Sequence, residues 1–222
     1  GNHAEFLGQM TNAQMLGSFF VNRDGEWELK GHAVEAFYEW MATWCMMFTT
    51  PDQLGFPSNG YHLPPLNIDP IFVDVDHASY AQATGRLFVT GMAGVEGRLV
   101  ARRMTMDERV KRAAEIIGAS DEQWVVWCGL NDEGRQLHRA LDDSVLVEGA
   151  DSLEDKIRDI GRFFDQSKRV LITKVRIGGF GLNLQHCHNM MFLGISDSYE
   201  QYYQAIRRCW RFGQESPVNV II

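Results

Sequence analysis

From residue 124 onward, short apolar segments alternate with amphipathic segments of helical length. The predicted strands cover 124–128, 145–148, 170–173, 190–193 and 218–222, and the predicted helices between them cover 132–141, 153–164 and 198–209. Ser152 precedes the second of these helices and is expected to cap it. Strands that are apolar along their whole length are buried on both faces. The alternation therefore predicts an α/β fold, a parallel sheet with helices on both faces.

The segment before residue 121 is predicted to be mostly helical. Apolar residues recur at three- and four-residue steps over 33–48, which indicates one face of a helix, and 12–20 is a shorter candidate. Residues 20–30 are expected to form a loop or hairpin around Asp24-Gly25. Five of the six prolines fall within 51–70, which indicates an irregular connector. A strand at 71–75 and a helix at 106–117 follow, giving three predicted parts: 1–70, 71–120 and 121–222.

Charge is distributed unevenly along the chain. The formal net charge is -8. Residues 166–222 nevertheless carry seven basic and three acidic side chains, so a polyanionic partner is expected there. The composition is that of a globular protein, and no apolar run is long enough for a transmembrane helix. The four cysteines form no CxxC pair, so we expect reduced thiols in a cytoplasmic protein rather than a disulfide framework or zinc ribbon.

Two short segments near the end carry the clearest chemical signal. In QAIRRCWRFGQ at 204–214, Arg208 and Arg211 are three residues apart and Gln204 is four before Arg208, so all three share one helical face. Guanidinium groups suit bidentate contact with phosphate oxygens, although cations at a helix C-terminus are also mildly stabilising on their own. Glycines at 178–181 allow close approach to a phosphate or another chain, or simply form a tight turn.

These segments resemble motifs of the Swi/Snf-type branch of superfamily-two helicases. Residues 204–214 match the sixth motif, QAxxRxxRxGQ, and 173–185 are similar to the fifth, a Ser/Thr followed by GGxGxNL. Strand 124–128 resembles the fourth motif, and 149–164 resemble the segment that precedes the fifth. The sequences NHAEFLG at 2–8, LPPL at 63–66 and SDSYEQYYQAIRRCWRFGQ at 196–214 resemble those of phage and prophage helicases.

The resemblance implies a two-lobed motor with ATP bound between RecA-like lobes of the P-loop NTPase fold. In this family the first lobe supplies the P-loop and the DExH carboxylates that hold Mg²⁺, and neither sequence occurs in these 222 residues. The chain is therefore expected to be the second lobe with a helical tail of the first lobe at 1–70. Its partners would be the N-terminal lobe in cis and DNA, with no membrane, in the cytoplasm of a bacterial or phage-infected cell.

The resemblance also assigns roles to individual residues. Arg208 and Arg211 would be catalytic arginine fingers. The nucleotide would be contacted by Gln204, Gly179 and Gly181. The DNA backbone would be contacted by Thr173, Lys174, Arg176, Gly178 and Asn183. ATP and Mg²⁺ would be held mainly by the first lobe, and no metal site is expected on this chain.

Some positions depart from the family pattern, and a second function stays open. Gly194 stands where chromatin-type members have an aspartate, and Lys156 replaces an arginine. The spacing of His186, Cys187 and His188 suggests a metal site, but no fourth ligand follows, so core or interface residues are favoured. The alternative function is a non-catalytic module derived from a helicase lobe, which binds nucleic acid or a partner protein.

Overall fold

The computed structural model describes residues 2–58, 61–73, 99, 101–178, 181–195 and 198–222. The chain divides into two compact units, Gly1–Ser58 and Asn59–Ile222, each of which is described by itself. Within the described residues, no helix has both the length and the apolar character needed to cross a bilayer.

The first unit is built from short elements. They are α1 (Asn2–Phe6), α2 (Asn12–Phe19), β1 (Phe20–Arg23), β2 (Glu26–Leu29) and α3 (Val34–Ala42), with 3₁₀ turns at Gly31–Ala33 and Pro51–Leu54. Thr11 begins α2 through a capping box with Gln14. The predicted hairpin is confirmed: β1 and β2 are antiparallel, and both Asp24 and Gly25 have the positive φ of a tight two-residue turn.

The long helix predicted over 33–48 is wrong beyond its middle. α3 ends at Ala42, and the Thr43 hydroxyl donates to the carbonyl of Trp40 at 2.7 Å, an alternative to continuing the helix. The apolar spacing still has a packing role, because the Trp44 ring lies against Trp40 with 5.2 Å between ring centroids.

The second unit contains a six-stranded sheet and its helices. The elements are β3 (Leu66–Asp69), α4 (Met106–Gly118), β4 (Trp124–Trp127), α5 (Asn131–Ala140), β5 (Ser144–Val147), α6 (Leu153–Phe164), β6 (Val170–Thr173), α7 (Val175–Gly178), β7 (Asn189–Phe192), α8 (Tyr199–Cys209) and β8 (Val218–Ile221). The strand order is β3-β8-β7-β4-β6-β5, with every pairing parallel. The predicted parallel sheet is confirmed, with strand ends within one residue of prediction from β4 to β8.

Two apolar cores cover opposite faces of the sheet. Alternate residues of β4 point to opposite sides, so Val125 and Trp127 join one core and Trp124 and Val126 the other. Helices α6 and α8 pack on the first side, and α4 and α5 pack on the second. Ser152 caps α6, as predicted, by accepting a hydrogen bond from the amide of Asp155. The helices therefore lie on both faces of the sheet.

The strand predicted at 71–75 is wrong in position. The strand is Leu66–Asp69, inside the predicted connector, whereas residues 71–73 are irregular and 74–75 lie outside the described residues. This segment joins the sheet by pairing with β8, although it contains polar residues. The Asn67 side-chain amide donates to Asn219 Oδ1 at 2.9 Å. Long-range pairing thus outweighs the local sequence pattern.

Candidate functional site

Arg208 is held in a defined orientation at the C-terminal end of α8. Its Nε donates to the carbonyl of Gln204 at 3.0 Å, and its Nη2 donates to Gln204 Oε1 at 2.8 Å. Its Nη1 reaches the carbonyl of Leu182 at 3.5 Å. The helix brings Gln204 and Arg208 together because residues four apart lie on one face. Three nitrogen atoms of the Arg208 guanidinium are thus held by hydrogen bonds, so the group is oriented before any ligand binds.

Arg208 belongs to a group of three cations. Burial lowers the pKa of Arg208, and the positive charges of Arg211 and Arg207 lower it further. Arg207 lies over the Trp210 ring, 5.3 Å from its centroid. Within the part of the chain that the structure describes, neither Arg208 nor Arg211 forms an ion pair. An arginine keeps its charge despite such a shift, so this helix end favours an anionic group.

Two other residues of the same motif have a structural role. The Gln214 side chain donates from Nε2 to the carbonyls of Gln185, Cys187 and Cys209, at 2.9 to 3.3 Å. Gly213 has a φ of +89°, and a Cβ there would lie 3.0 Å from Gln185. These two residues fasten the segment after α8 to the loop before β7. The sequence motif did not indicate this structural role of Gly213 and Gln214.

The loop that precedes β7 connects the two predicted groups of site residues. The Leu184 amide donates to the carbonyl of Arg208 at 3.0 Å. Gly181 has a φ of +101°, which only glycine adopts readily, and Asn183 is exposed. Gly179 lies outside the described residues. The predicted nucleotide and nucleic-acid residues in this loop are thus adjacent to the backbone of the arginine segment.

A polar cleft of about 520 Å³ lies at the carboxyl ends of β4, β6 and β7. Lys174 and Arg176 line it, together with Arg102 from the helical segment before α4. Ligands of open parallel sheets bind at this edge. Gly178 is close by in sequence but buried, and a Cβ there would meet Thr173 at 3.0 Å. Three cations converging on one cleft suit a polyanion.

Thr173 has a different environment from its predicted neighbours. It is buried, and its hydroxyl donates to the carbonyl of Val147 at 3.0 Å. The side chain is therefore engaged in holding β5 against β6 and does not line the cleft. Because side chains alternate along a strand, Thr173 points into the protein, whereas Lys174 follows the strand end and lines the cleft. The spacing of the motif did not distinguish these two environments.

Sequence reasoning missed a buried ion pair beneath the cleft. Glu133 is fully buried, and its Oε1 lies 2.7 Å from Nη2 of Arg109. Its Oε2 accepts hydrogen bonds from the amides of Gly129 and Leu130, at 2.9 and 2.8 Å. A Cβ on Gly194 would lie 3.0 Å from Oε2 and 3.1 Å from Oε1. This contact explains why Gly194 stands where chromatin-type helicases have an aspartate: an aspartate side chain at this position would clash with the Glu133 carboxylate and repel it.

The segment His186-Cys187-His188 does not converge on one point. The ring of His186 packs against Phe164, Cys187 is buried, and His188 Nε2 lies 3.1 Å from Glu122 Oε2. No group of three potential metal-ligating side chains is found among the residues that the structure describes.

Comparison with known proteins supports the same fold. Residues 108–213, just under half of the chain, match the family model described as "Helicase conserved C-terminal domain". The crystal structure of the C-terminal part of the Fun30 ATPase domain superposes with a TM-score of 0.53 at 12% sequence identity, covering 72% of this chain and 85% of that one. The C-terminal domain of the DEAD-box protein Dbp5 covers 52% of this chain and 70% of that one, at 15% identity and a TM-score of 0.45. No curated protein gives a significant sequence match.

The family match and the similarity to the Fun30 structure establish the fold of the second unit. Its six-stranded parallel sheet with flanking helices has the fold of a RecA-like helicase C-terminal lobe, as predicted. The matched segment spans α4 to the arginine segment, so it contains Gln204, Arg208 and Arg211.

Proposed function

We propose that this chain is the C-terminal lobe of an ATP-dependent DNA translocase or helicase, in which Arg208 and Arg211 act as arginine fingers. One observation carries the proposal. Two guanidinium groups lie at the end of α8, one fastened to Gln204 and the other without an ion pair in the described chain. A helicase-type lobe in which Arg208 is oriented in this way beside Arg211 is suited to a phosphate group presented from outside the lobe.

The chemistry assigned to these residues is charge stabilisation during phosphoryl transfer. ATP is the substrate, and in the transition state negative charge is spread over the oxygens of the transferring γ-phosphoryl group. Arg211 and Arg208 stabilise that charge, and Gln204 is a positioning residue because it holds Arg208. Mg²⁺ bound with the nucleotide would neutralise its phosphate oxygens, and we propose that its protein ligands belong to the partner lobe.

A partner lobe completes the proposed site. The P-loop and the acidic Mg²⁺ ligands would come from an N-terminal lobe in cis, which closes on ATP and brings the nucleotide to Arg208 and Arg211. DNA would lie along the cleft at the carboxyl edge, where Lys174 and Arg176 contact backbone phosphates without reading sequence. The loop at 181–185 contacts the arginine segment, and we propose that this contact couples the nucleotide site to the DNA site.

DNA-stimulated ATP turnover of the full-length gene product tests the proposal. Arg211→Ala is expected to lower turnover by about 10³-fold while DNA affinity stays within twofold. Arg139→Ala is the matched control, because Arg139 is exposed at the end of α5 and is remote in sequence from the site. Equal turnover in the wild type, R211A and R139A contradicts the assignment of Arg211 as an arginine finger. DNA binding without any turnover favours the alternative, a non-catalytic binding module.

A further inference from the structure

Arg102 lies outside the segment that matches the helicase family model, yet it lines the polar cleft. The family match begins at residue 108, whereas Arg102 belongs to the helical segment that leads into α4. It is half-buried in the wall of the cleft. Lys174 and Arg176 share that lining with it. The cation therefore comes from a different part of the chain but faces the same space.

The buried Arg109–Glu133 pair holds Arg102 in that wall. Arg109 Nη2 donates both to Glu133 Oε1 and to the backbone carbonyl of Arg102. Its Nε donates to the hydroxyl of Thr105 at 3.0 Å, and that hydroxyl donates to the carbonyl of Ala101. One guanidinium of α4 thus fixes the backbone of the helical segment before the turn at Thr105, directly at Arg102 and through the Thr105 hydroxyl at Ala101.

The same pair fixes the floor of the cleft. Arg109 Nη1 donates to the carbonyl of Leu193, directly before Gly194. Glu133 Oε2 accepts from the amide of Gly129 at 2.9 Å. Gly129 and Gly194 both line the cleft. The ion pair therefore connects three parts of the lining, from the helical segment, β4 and β7. A fully buried carboxylate with this many partners is costly unless all of its bonds form, so the arrangement is rigid.

We propose that Arg102 is an additional contact to the phosphodiester backbone, held beside Lys174 and Arg176 by the Arg109–Glu133 pair. The inference rests on the proposed function, since it assigns the cleft to a nucleic-acid strand. It adds a residue from outside the matched motifs and names Arg109 and Glu133 as positioning residues. The ligand chemistry is a chain of phosphodiesters, because several cations around an open cleft fit a repeated negative charge better than a single small anion.

The test measures how binding depends on salt. The full-length protein is titrated with a fluorescent 20-base-pair duplex and a 20-nucleotide single strand, without nucleotide, from 50 to 200 mM KCl. Loss of one phosphate contact lowers the slope of log K against log salt by about 0.9 for duplex and about 0.7 for single strand. Arg102→Ala is expected to produce that change and to weaken binding about fivefold at 100 mM salt. A role in folding alone leaves the slope unchanged.

The neighbouring Arg103→Ala is the matched control, because Arg103 is exposed and is not among the residues that line the cleft. Lys174→Ala reports on the proposed function. If K174A lowers the slope and R102A does not, the present inference is wrong and the DNA-binding cleft stands. If the wild type binds neither probe, the proposed DNA-binding function fails, and this inference fails with it.

A double-mutant cycle tests the positioning role. In a Glu133→Gln background, R102A is expected to lower the slope by less than half of its effect in the wild type, because Arg102 is already displaced. Full additivity contradicts the positioning role. Should E133Q not fold, the comparison of R102A with R103A still decides whether Arg102 contacts the backbone.

Discussion

Gln204 Oε1 accepts a hydrogen bond from Nη2 of Arg208 at 2.8 Å, one helical turn away on α8. The Gln204 carbonyl accepts a second bond from Nε of the same guanidinium. A single glutamine thus fixes the plane of the arginine. The motif's first glutamine and first arginine act as one unit, and this gives a direct prediction about turnover.

Gln204→Ala is expected to lower ATP turnover of the full-length protein by about 10- to 100-fold. A hydrogen bond to a charged group contributes about 1.5–3 kcal/mol, and its loss leaves Arg208 free to adopt other rotamers. KM for ATP should stay within about threefold, since the effect falls on the reacting geometry. Steady-state kinetics of Q204A, R208A and the double variant check this. Independent, additive effects of the two substitutions contradict the coupling.

Gly194→Ala is expected to destabilise the second unit by about 1–3 kcal/mol, the usual effect of overpacking. The new Cβ would lie 3.0 Å from Glu133 Oε2, and two backbone-amide hydrogen bonds together with the Arg109 ion pair prevent that carboxylate from moving away. Urea unfolding measures the change. Gly161→Ala is the matched control, because nothing lies within 4 Å of its Cβ and it is inside α6. It should stabilise by about 0.5–1 kcal/mol. Equal effects in both variants would contradict the packing argument.

The stability of the chain should depend on Glu122 in acid. The side-chain hydrogen bond from Asn189 lowers the pKa of Glu122 below its ordinary value of 4.5, and His188 adds to the effect. A lowered pKa in the folded state gives stability that is present above pH 4.5 and is lost as the pH falls through the folded value. The effect is small, since the carboxylate is more than half exposed.

Thermal unfolding of wild type and Glu122→Gln between pH 7 and pH 3 measures this contribution. The wild type should be the more stable at pH 7, and the difference should shrink as the pH falls. If the stability difference between wild type and E122Q stays constant from pH 7 to pH 3, Glu122 does not contribute in this way.

The sequence predicted the second unit well where apolar strands are central and buried. β6 lies between β4 and β5, is buried along its whole length and was predicted to the residue. β3 lies at the edge of the sheet and contains the polar residues Asn67 and Asp69. It was not predicted, because it is a strand through its pairing with β8 and not through its apolar content. In the first unit the apolar spacing continued past Ala42 although the helix did not.

The site was only partly accessible to sequence reasoning. Arg208 and Gln204 were found because residues four apart meet on a helix, and the structure brings them into contact. Arg102 and Glu133 were missed because the groups that they approach are distant in sequence. Residue spacing shows which side chains are neighbours within one helix or strand. The cleft, in contrast, is lined by residues at the ends of three strands and of a separate helical segment.

The role of Arg211 is best tested by comparing two ligands of the full-length protein, ADP alone and ADP with aluminium fluoride, which imitates the transferring phosphoryl group. Arginine fingers act on the transition state more than on the ground state. Arg211→Ala is expected to weaken binding of ADP–aluminium fluoride by about 10²- to 10³-fold and to change ADP binding by less than about threefold. Unchanged affinity for both ligands in R211A would contradict the assignment of Arg211 as a finger.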